Sequence, residues 1–308
     1  MRRLSIVVPV YRSEPVLDAL VDQIAGALAG SRYEANFEIV LVNDCSPDGS
    51  WRVIERLSGD KPFVKGISLR RNAGQHNATM AGLNHATGDI VVIMDDDLQH
   101  PPSAILQIVK KIEDGHDVCY TNYRGRKHAA WKQWGSRLND WMATRLLDKP
   151  AGLYLSSFKA IDRGVVDEII RYDGPYTYID GLILSATGSI TSVDIDHQDR
   201  FAGESGYNFG RLVSLWLKMV TGSSILPLRA ASLLGVVLAL LSFLMFAVVV
   251  VERLSSPGIP PGWASILAAI FLSAGINLLC LGVMGEYIGR IYARTNNVSQ
   301  FVVSKKTF

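Results

Sequence analysis

Three consecutive carboxylates, Asp95, Asp96 and Asp97, directly follow the apolar run Ile90–Met94. Adjacent carboxylates repel one another, and a bound divalent cation relieves that repulsion. Because side chains alternate along an extended chain, we expect Asp95 and Asp97 to share a face and Asp96 to point away. If the chain stays extended as far as Gln99, its amide joins that face.

An all-oxygen ligand set of this kind suits magnesium or manganese better than zinc. A metal held by two carboxylates keeps open positions, which substrate phosphates often fill. The simpler alternative is a solvated acidic turn before a helix that has Pro102 near its first turn. The sequence therefore predicts a Mg²⁺ or Mn²⁺ site, with the acidic turn as the competing interpretation.

Strand-like and helix-like segments alternate through roughly the first 200 residues, which predicts an α/β fold with a mostly parallel sheet. Polar clusters follow each of the first four predicted strands, where an open α/β sheet binds its ligand. Neither a Walker A sequence nor a dinucleotide glycine fingerprint is present, which disfavours P-loop NTPases and Rossmann dehydrogenases. The predicted strands are Leu4–Val10, Phe37–Asn43, Val64–Leu69 and Ile90–Met94, and the predicted helices are Glu14–Leu28, Ser50–Leu57, Gln75–Ala86 and Ser103–Glu113.

Charge and cysteine content exclude some function classes. The net charge of +2 is too small to argue for a nucleic-acid partner, so we predict none. The three cysteines, Cys45, Cys119 and Cys280, are far apart and odd in number. They fit neither a disulfide framework nor a zinc site, which indicates a reducing compartment for the soluble part.

Two uncharged stretches, Ala230–Val251 and Trp263–Met284, are each long enough to cross a bilayer. They predict a transmembrane hairpin, the alternative being two buried core helices. Lysines and arginines flank the pair on its outer sides, whereas the loop between carries only Arg253. The positive-inside rule therefore predicts a multi-pass membrane protein with both termini, and with them the N-terminal α/β domain, in the cytoplasm. Residues 206–229 read as an interfacial amphipathic helix and linker, or as a segment packed on the soluble domain.

Seven short segments carry recognisable motifs: Val8–Tyr11, Val42–Ser50, Asn72–His76, Asp95–Pro102, Gly203–Ser205, Pro227–Arg229 and Gly285–Arg290. Together they resemble the GT-A glycosyltransferases of family 2, specifically the branch that acts on polyprenyl phosphates. The resemblance implies a GT-A domain over residues 1–205, the membrane hairpin over 230–284 and a cytoplasmic tail over 285–308. It also implies inverting transfer of a sugar from a nucleotide sugar to a polyprenyl phosphate, with UDP as the expected nucleotide. The resemblance further implies that the protein is a homo-oligomer, a tetramer.

The resemblance also implies roles for individual residues. Arg200 resembles a basic residue near the diphosphate and joins Asp95 and Asp97 as a catalytic candidate. The implied metal ligands are Asp95, Asp97 and Gln99, and the implied acceptor-phosphate site is Arg124, Lys132 and Ser136. The implied nucleotide-binding residues are Pro9, Tyr11, Glu14, Asp44, Gln75 and Asp96.

Two departures from the family pattern leave the general base and the sugar open. The segment Leu153–Lys159 lacks an acid that relatives often carry, and Gly206 stands where many have lysine. A phosphate acceptor is already largely dianionic at neutral pH, so it needs little deprotonation by a protein base. Two alternatives share the same catalytic domain: a processive polysaccharide synthase, and a non-catalytic membrane scaffold that binds a nucleotide sugar. The missing Gln-x-x-Arg-Trp motif disfavours the first, and the intact acidic cluster disfavours the second.

Overall fold

A computed structural model describes residues 2–124, 153–174, 177–196, 262–296 and 299–308, with isolated positions between 233 and 244. The chain divides into two compact units. Residues 1–213 and the C-terminal residues 297–308 form the first unit, and residues 214–296 form the second. The last residues of the chain therefore belong with the N-terminal unit.

The first unit contains strands and helices in alternation, as the sequence predicts. The strands are β1 (Leu4–Val10), β2 (Phe37–Asn43), β3 (Val64–Leu69), β4 (Ile90–Ile93), β5 (Val118–Arg124), β6 (Lys159–Asp162), β7 (Ile190–Asp196) and β8 (Val303–Lys306). The helices are α1 (Leu17–Leu28), α2 (Ser50–Asp60), α3 (Gln75–Leu83), α4 (Ile105–Glu113, after a 3-10 turn at Pro102–Ala104), α5 (Arg163–Ile169) and α6 (Ile179–Ala186).

These strands form one eight-stranded sheet in the order β7-β5-β6-β4-β1-β2-β3-β8. Strands β3, β2, β1 and β4 pair in parallel, and β5 pairs in parallel with β7. Strand β6 is antiparallel to both β4 and β5, and β8 is antiparallel to β3. The prediction of an α/β fold with a mostly parallel sheet is confirmed.

The central strands are apolar because both faces of the sheet are covered. Alternate residues of β1 enter different cores: Ile6 and Val8 pack toward α1, α2 and α4, whereas Val7 packs toward α3, α5 and α6. This burial fixes the register of the sheet, since a one-residue slip would exchange the two faces. The same register places the carboxyl ends of β1, β2 and β4 next to one another at one edge of the sheet.

The C-terminal segment closes one edge of the sheet. The backbone N–H of Thr307 donates to the carbonyl of Gly66 (3.1 Å), and the backbone N–H of Gly66 donates to the Thr307 hydroxyl (2.8 Å). Ser58 also donates to the Thr307 hydroxyl at 2.6 Å. Residues 285–308, predicted to be a tail, thus end in an edge strand of the first unit.

The second unit contains a 33-residue helix, α7 (Trp263–Thr295), which continues past the predicted end of the span at Met284. Its stretch Leu272–Gly289 is long and apolar enough to cross a membrane. Large apolar side chains along it are exposed, among them Ile270, Leu278 and Ile288. The predicted first span lies mostly outside the described residues, as does the predicted amphipathic helix at 206–229, so the two-helix hairpin stays a prediction.

Candidate active site

The carboxyl ends of β1, β2 and β4 open into a cavity of about 640 Å³. This is within the usual size range of small-molecule sites. The cavity brings together most of the side chains that sequence analysis singled out at this rim. It is lined by Pro9, Val10, Tyr11, Ser13, Asp44, Asn72, Gly74, Gln75, Asp95, Asp96 and Asp97.

The acidic cluster departs from the extended geometry that strand alternation predicts. Strand β4 ends at Ile93, and Leu98 has a φ of 58°. The backbone bends at residues 96–98, and Asp96 lines the same cavity as Asp95 and Asp97, so the expectation that it points away from their site is wrong. The backbone N–H of Gln99 donates to Asp97 Oδ1 (3.1 Å). Gln99 itself is half-buried and is not part of the cavity lining.

Asp95 is held by three neighbours from different parts of the chain. Gln75 Nε2 donates to its Oδ1 (2.6 Å), while Ser157 Oγ donates to its Oδ2 (2.5 Å). His100 Nε2 lies 3.1 Å from the same Oδ2. Burial favours the neutral acid, but the hydrogen bonds from His100 and Ser157 outweigh it and lower the pKa of Asp95. The carboxylate is therefore ionised and fixed in orientation at neutral pH.

Asp96 ties the acidic cluster to the end of β1. Its Oδ2 accepts from the backbone N–H of Tyr11 (3.0 Å) and from the Ser13 hydroxyl. Arg12, between these two, has a φ of 60°, a left-handed conformation that such hydrogen bonds help to hold. Burial raises the pKa of Asp96 to about 6, although the hydrogen bonds from Ser13 and Tyr11 oppose it.

Asp44, at the end of β2, organises the loop before α3. Its two carboxylate oxygens accept from the backbone N–H groups of Ala73 (2.7 Å) and Gly74 (2.9 Å). Gly74 has a φ of 85°, which favours glycine. Burial raises the pKa of Asp44 despite these two hydrogen bonds. Asp44 thus positions the loop that presents Gln75 to Asp95.

Glu14 is the predicted nucleotide contact that the structure places elsewhere. Its Oε2 accepts from the backbone N–H of Gly49 (2.8 Å), immediately before α2, and its side chain does not line the cavity. A Cβ at position 49 would collide with the Glu14 carboxylate, so a larger residue there would displace the Glu14 side chain from this contact. In this structure Glu14 fixes the start of α2.

A second cavity of about 280 Å³ adjoins the first and shares Gln75 and Asp95 with it. Three of its residues, His76, Lys159 and Asp180, carry ionisable side chains that are not among the site residues predicted from the sequence. They come from α3, β6 and α6, which only the fold brings together. The remaining lining residues are Thr79, Ile93, Tyr154, Leu155, Ser157 and Ile179.

Comparison with known proteins identifies the family to which this chain belongs. The profile of the family described as "Glycosyl transferase family 2" matches residues 5–170, more than half of the chain. The chain belongs to glycosyl transferase family 2. The family match covers every residue lining the first cavity.

Curated relatives match this glycosyltransferase along nearly its whole length. It is 34% identical to the undecaprenyl-phosphate 4-deoxy-4-formamido-L-arabinose transferase of Pseudomonas syringae pv. syringae (strain B728a), over 98% of this chain and 90% of that protein. It is 31% identical to the protein of the same name from Proteus mirabilis (strain HI4320), over 99% and 94%. The predicted resemblance to the polyprenyl-phosphate branch is confirmed.

Solved structures share the fold at low sequence identity. Glucosyl-3-phosphoglycerate synthase from Mycobacterium tuberculosis, in complex with Mn²⁺ and UDP-glucose, superposes with a TM-score of 0.51 at 17% identity, over 71% of this chain and 77% of that one. Mannosyl-3-phosphoglycerate synthase from Rubrobacter xylanophilus gives a TM-score of 0.51 at 17% identity, over 71% and 72%. These likenesses confirm the GT-A fold.

The carboxylate oxygens available in the first cavity of this glycosyltransferase are suitable ligands for a hard cation. Asp95, Asp96 and Asp97 all present carboxylates to it. Within the described ranges, no three His, Cys, Asp or Glu side chains are grouped so as to hold a metal ion on their own. Mg²⁺ commonly takes only one or two protein carboxylates and completes its shell with water and substrate phosphates. The site therefore fits a cation that binds together with a diphosphate.

The side chains of the predicted acceptor-phosphate residues lie outside the part of the chain that the structure describes. Arg124 ends β5, but only its backbone is described. Lys132, Ser136 and Arg200 fall in ranges that the structure does not describe. Their roles stay predictions that rest on the family resemblance.

Proposed function

We propose that this glycosyltransferase moves a sugar from a nucleotide sugar, with UDP as the nucleotide, to a membrane polyprenyl phosphate. The product is a sugar linked to the lipid through one phosphate, for use in cell-envelope glycan or lipid modification. The observation that carries the proposal is the convergence of Asp95, Asp96 and Asp97 with Gln75 and Asp44 on one cavity. Full-length relatives named as undecaprenyl-phosphate sugar transferases support the acceptor class.

The first cavity is the proposed donor site. Pro9, Tyr11, Asp44 and Asp96 would receive the base and ribose, since they lie at the ends of β1 and β2 or bond to them. Gln75, which bonds Asp95, would lie beside the diphosphate. Glu14 would act indirectly through the α2 start.

Asp95 and Asp97, with Gln99 as a third candidate, would hold Mg²⁺ or Mn²⁺ in this site. When bound, such an ion stabilises the negative charge that develops on the diphosphate as the C1–O bond of the sugar breaks. The hydrogen bonds to Asp95 keep its carboxylate ionised and oriented before substrate arrives. Preorganisation of this kind avoids reorganisation during the reaction.

The acceptor phosphate attacks C1 from the face opposite the diphosphate, which inverts the configuration. Its dianion needs no general base, so the missing acid in Leu153–Lys159 does not prevent the reaction. What the reaction requires is cationic charge to hold two anionic groups side by side. Arg124, Lys132 and Arg200 are proposed for that role, with Ser136 beside them in the acceptor-phosphate site.

Membrane attachment follows from the lipid acceptor, whose tail cannot leave the bilayer. Helix α7, with Leu272–Gly289 apolar and exposed, supports the second of two proposed spans within residues 230–284. We place both termini and the catalytic domain, residues 1–205 completed by β8, in the cytoplasm at the inner membrane, with residues 206–229 at the interface. A homo-oligomer, by resemblance a tetramer, belongs to the same proposal.

A transfer assay separates this proposal from its two alternatives. Purified full-length protein is incubated with radiolabelled UDP-sugars, Mg²⁺ or Mn²⁺, and a short polyprenyl phosphate. The proposal predicts a lipid-linked monosaccharide. A processive synthase would give polymer, and a non-catalytic scaffold would bind the nucleotide sugar without forming a product.

A further inference from the structure

A buried ion pair lines the second cavity without exhausting its own hydrogen-bonding capacity. Lys159 is 3% exposed and Asp180 7%. The Lys159 ammonium donates to Asp180 Oδ1, which also accepts from the Tyr120 hydroxyl (3.0 Å). Among the described residues, Asp180 Oδ2 accepts no hydrogen bond and the ammonium makes no second one. A buried pair with one acceptor and two N–H groups to spare is completed by a polar ligand or by water.

The charges around this cavity disfavour an anionic ligand. Among the described residues that line it, Asp95 and Asp180 are carboxylates and Lys159 is the cation that opposes them. His76 adds no positive charge at neutral pH, because burial lowers its pKa. A divalent cation bound at Asp95 would change this sum from −1 to +1, but it would bind together with the donor diphosphate, whose negative charge offsets it. The cavity therefore suits an uncharged or cationic group that carries both hydrogen-bond donors and acceptors.

The position of the cavity identifies which part of a substrate would enter it. Gln75 and Asp95 line both cavities, so a ligand that fills them passes directly beside these two side chains. With nucleotide and diphosphate in the first cavity, the next group of the donor is its sugar. A volume of about 280 Å³ leaves room for one sugar ring.

We infer that the second cavity is the sugar subsite of the donor, and that the Lys159–Asp180 pair selects neutral or amino sugars against uronic acids. This inference rests on the proposed glycosyl transfer. Asp180 Oδ2 accepts from a hydroxyl or amino group of the sugar, and the Lys159 ammonium donates to a ring or hydroxyl oxygen. A sugar carboxylate in the same place would meet Asp180 at close range, which costs affinity through like-charge repulsion.

The test compares the affinities of UDP, UDP-glucose and UDP-glucuronate for the full-length protein with Mn²⁺, by isothermal titration calorimetry. Wild type is expected to bind UDP-glucuronate at least about tenfold more weakly than UDP-glucose. Asp180→Asn removes the repelling charge, so it is expected to reduce the ratio of UDP-glucose affinity to UDP-glucuronate affinity by about tenfold. The affinity of this variant for UDP is expected to stay within about twofold of the wild-type value. Lys159→Gln leaves Asp180 without its cationic partner and is expected to increase the preference for UDP-glucose over UDP-glucuronate.

The matched control is Asp167→Asn, the same chemical change on α5, where Asp167 pairs with the half-exposed Arg163 (2.7 Å). It is expected to change none of the three affinities. Thermal melting establishes that each variant is folded, and the wild-type preference is measured without any variant. Equal affinity of wild type for both sugar nucleotides, or parallel losses for UDP and UDP-glucose in Asp180→Asn, would overturn the inference.

Two further outcomes distinguish a failure of this inference from a failure of the proposed glycosyl transfer. If wild type neither binds UDP nor forms lipid-linked sugar, the proposed function fails. If it does both, but Asp180→Asn slows turnover at saturating donor with unchanged sugar preference, only the inference fails, because the pair would then serve the reaction step.

Discussion

His100 Nε2 lies 3.1 Å from Asp95 Oδ2, and the His100 ring packs against Phe158 with ring centroids 5.3 Å apart. A buried histidine thus connects the acidic cluster after β4 to the residues directly before β6. Ser157, next to Phe158, donates to the same Asp95 oxygen. The orientation of the proposed metal-binding carboxylate depends on contacts between segments about 60 residues apart in sequence.

His100→Leu should weaken donor binding because it removes a polar partner of Asp95 and lets its pKa rise. We expect about a tenfold loss of UDP affinity in the presence of Mn²⁺, the scale of one charge-assisted hydrogen bond. His100→Gln, which keeps a donor, should retain most of the affinity. His116→Leu, a change in a partly exposed histidine remote from the cavity lining, is the control. An unchanged affinity in folded His100→Leu would show that the contact is dispensable.

Asp97→Asn should reduce the transfer rate at least about a hundredfold, since the charge stabilisation lost is several kcal/mol. EDTA should abolish transfer by wild type, and Mg²⁺ or Mn²⁺ should restore it. The measurement is initial rate at saturating donor, with Asp114→Asn on the exposed end of α4 as the matched control. Near-normal turnover by verified metal-free enzyme would contradict a metal-dependent reaction.

Ser13→Ala should loosen the turn at the end of β1. The Ser13 hydroxyl and the Tyr11 N–H share Asp96 Oδ2, and Arg12 between them is left-handed. Loss of one hydrogen bond of about 1 kcal/mol should reduce UDP affinity by roughly fivefold. Ser185→Ala, on the exposed side of α6, removes a hydroxyl away from the site and should leave UDP affinity unchanged. Equal affinities for the two variants would show that this turn does not shape the nucleotide site.

Glu38 makes fold stability depend on acid pH. Burial alone would raise its pKa, but hydrogen bonds from Lys65, Ser5 and Thr87 outweigh burial and lower the pKa from 4.5 to about 2. A carboxyl whose pKa is depressed in the folded state stabilises the fold above its unfolded pKa and loses that effect as pH falls through the folded value. The shift corresponds to about 3 kcal/mol at neutral pH.

Glu38→Gln should therefore lower the Tm at pH 7, and the difference from wild type should shrink as pH falls from 4.5 toward 2. Thermal unfolding followed by circular dichroism at several pH values measures it. The carboxyl is 1% exposed, so solvent screening is small. A Tm difference that stays constant across this pH range would contradict the assigned cause.

Removal of residues 299–308 should destabilise the catalytic unit, because it strips β8 from the edge of β3. The loss includes the Thr307–Gly66 hydrogen bonds and the one from Arg70 N–H to the Val302 carbonyl (2.7 Å). We expect at least about 2 kcal/mol less stability, and weaker UDP binding since Asn72 and Gly74 follow β3 in the cavity wall.

The strand hypothesis has a finer control in Thr307→Val. This change keeps the chain length and the β-branched shape but removes the hydroxyl that contacts Ser58 and Gly66. Its expected cost is about 1 kcal/mol, well short of the deletion. If the deletion and wild type melt at the same temperature, β8 contributes nothing to the fold.

Local patterns were enough to predict the sheet as far as β4 and the rim that carries the site. Strands β1, β2 and β3 have the predicted bounds because apolar runs buried on both faces leave little freedom. Strand alternation failed at Asp96, where the backbone departs from extended geometry before the left-handed Leu98. The turn there depends on tertiary hydrogen bonds to Tyr11 and Ser13, which no local pattern encodes.

The second cavity was not predictable from sequence, because its charged residues lie on elements that only the fold brings together. Lys159 begins a four-residue strand and Asp180 lies in the first turn of α6, so each alone reads as an ordinary surface charge. Strand β8 has the sequence Val-Ser-Lys-Lys, with no apolar alternation to signal it. Its place beside β3 depends on backbone pairing and on the Thr307 contacts.

The most direct test of the central claim is the chemical structure of the lipid product. Full-length enzyme is incubated with its preferred UDP-sugar, Mn²⁺ and a polyprenyl phosphate, and the product is analysed by mass spectrometry with parallel measurement of the released nucleotide. The account predicts one sugar attached through one phosphate, with one UDP released for each sugar transferred, and no such product from Asp97→Asn. A diphosphate-linked sugar with release of UMP, or a polymer of several sugars, would contradict it.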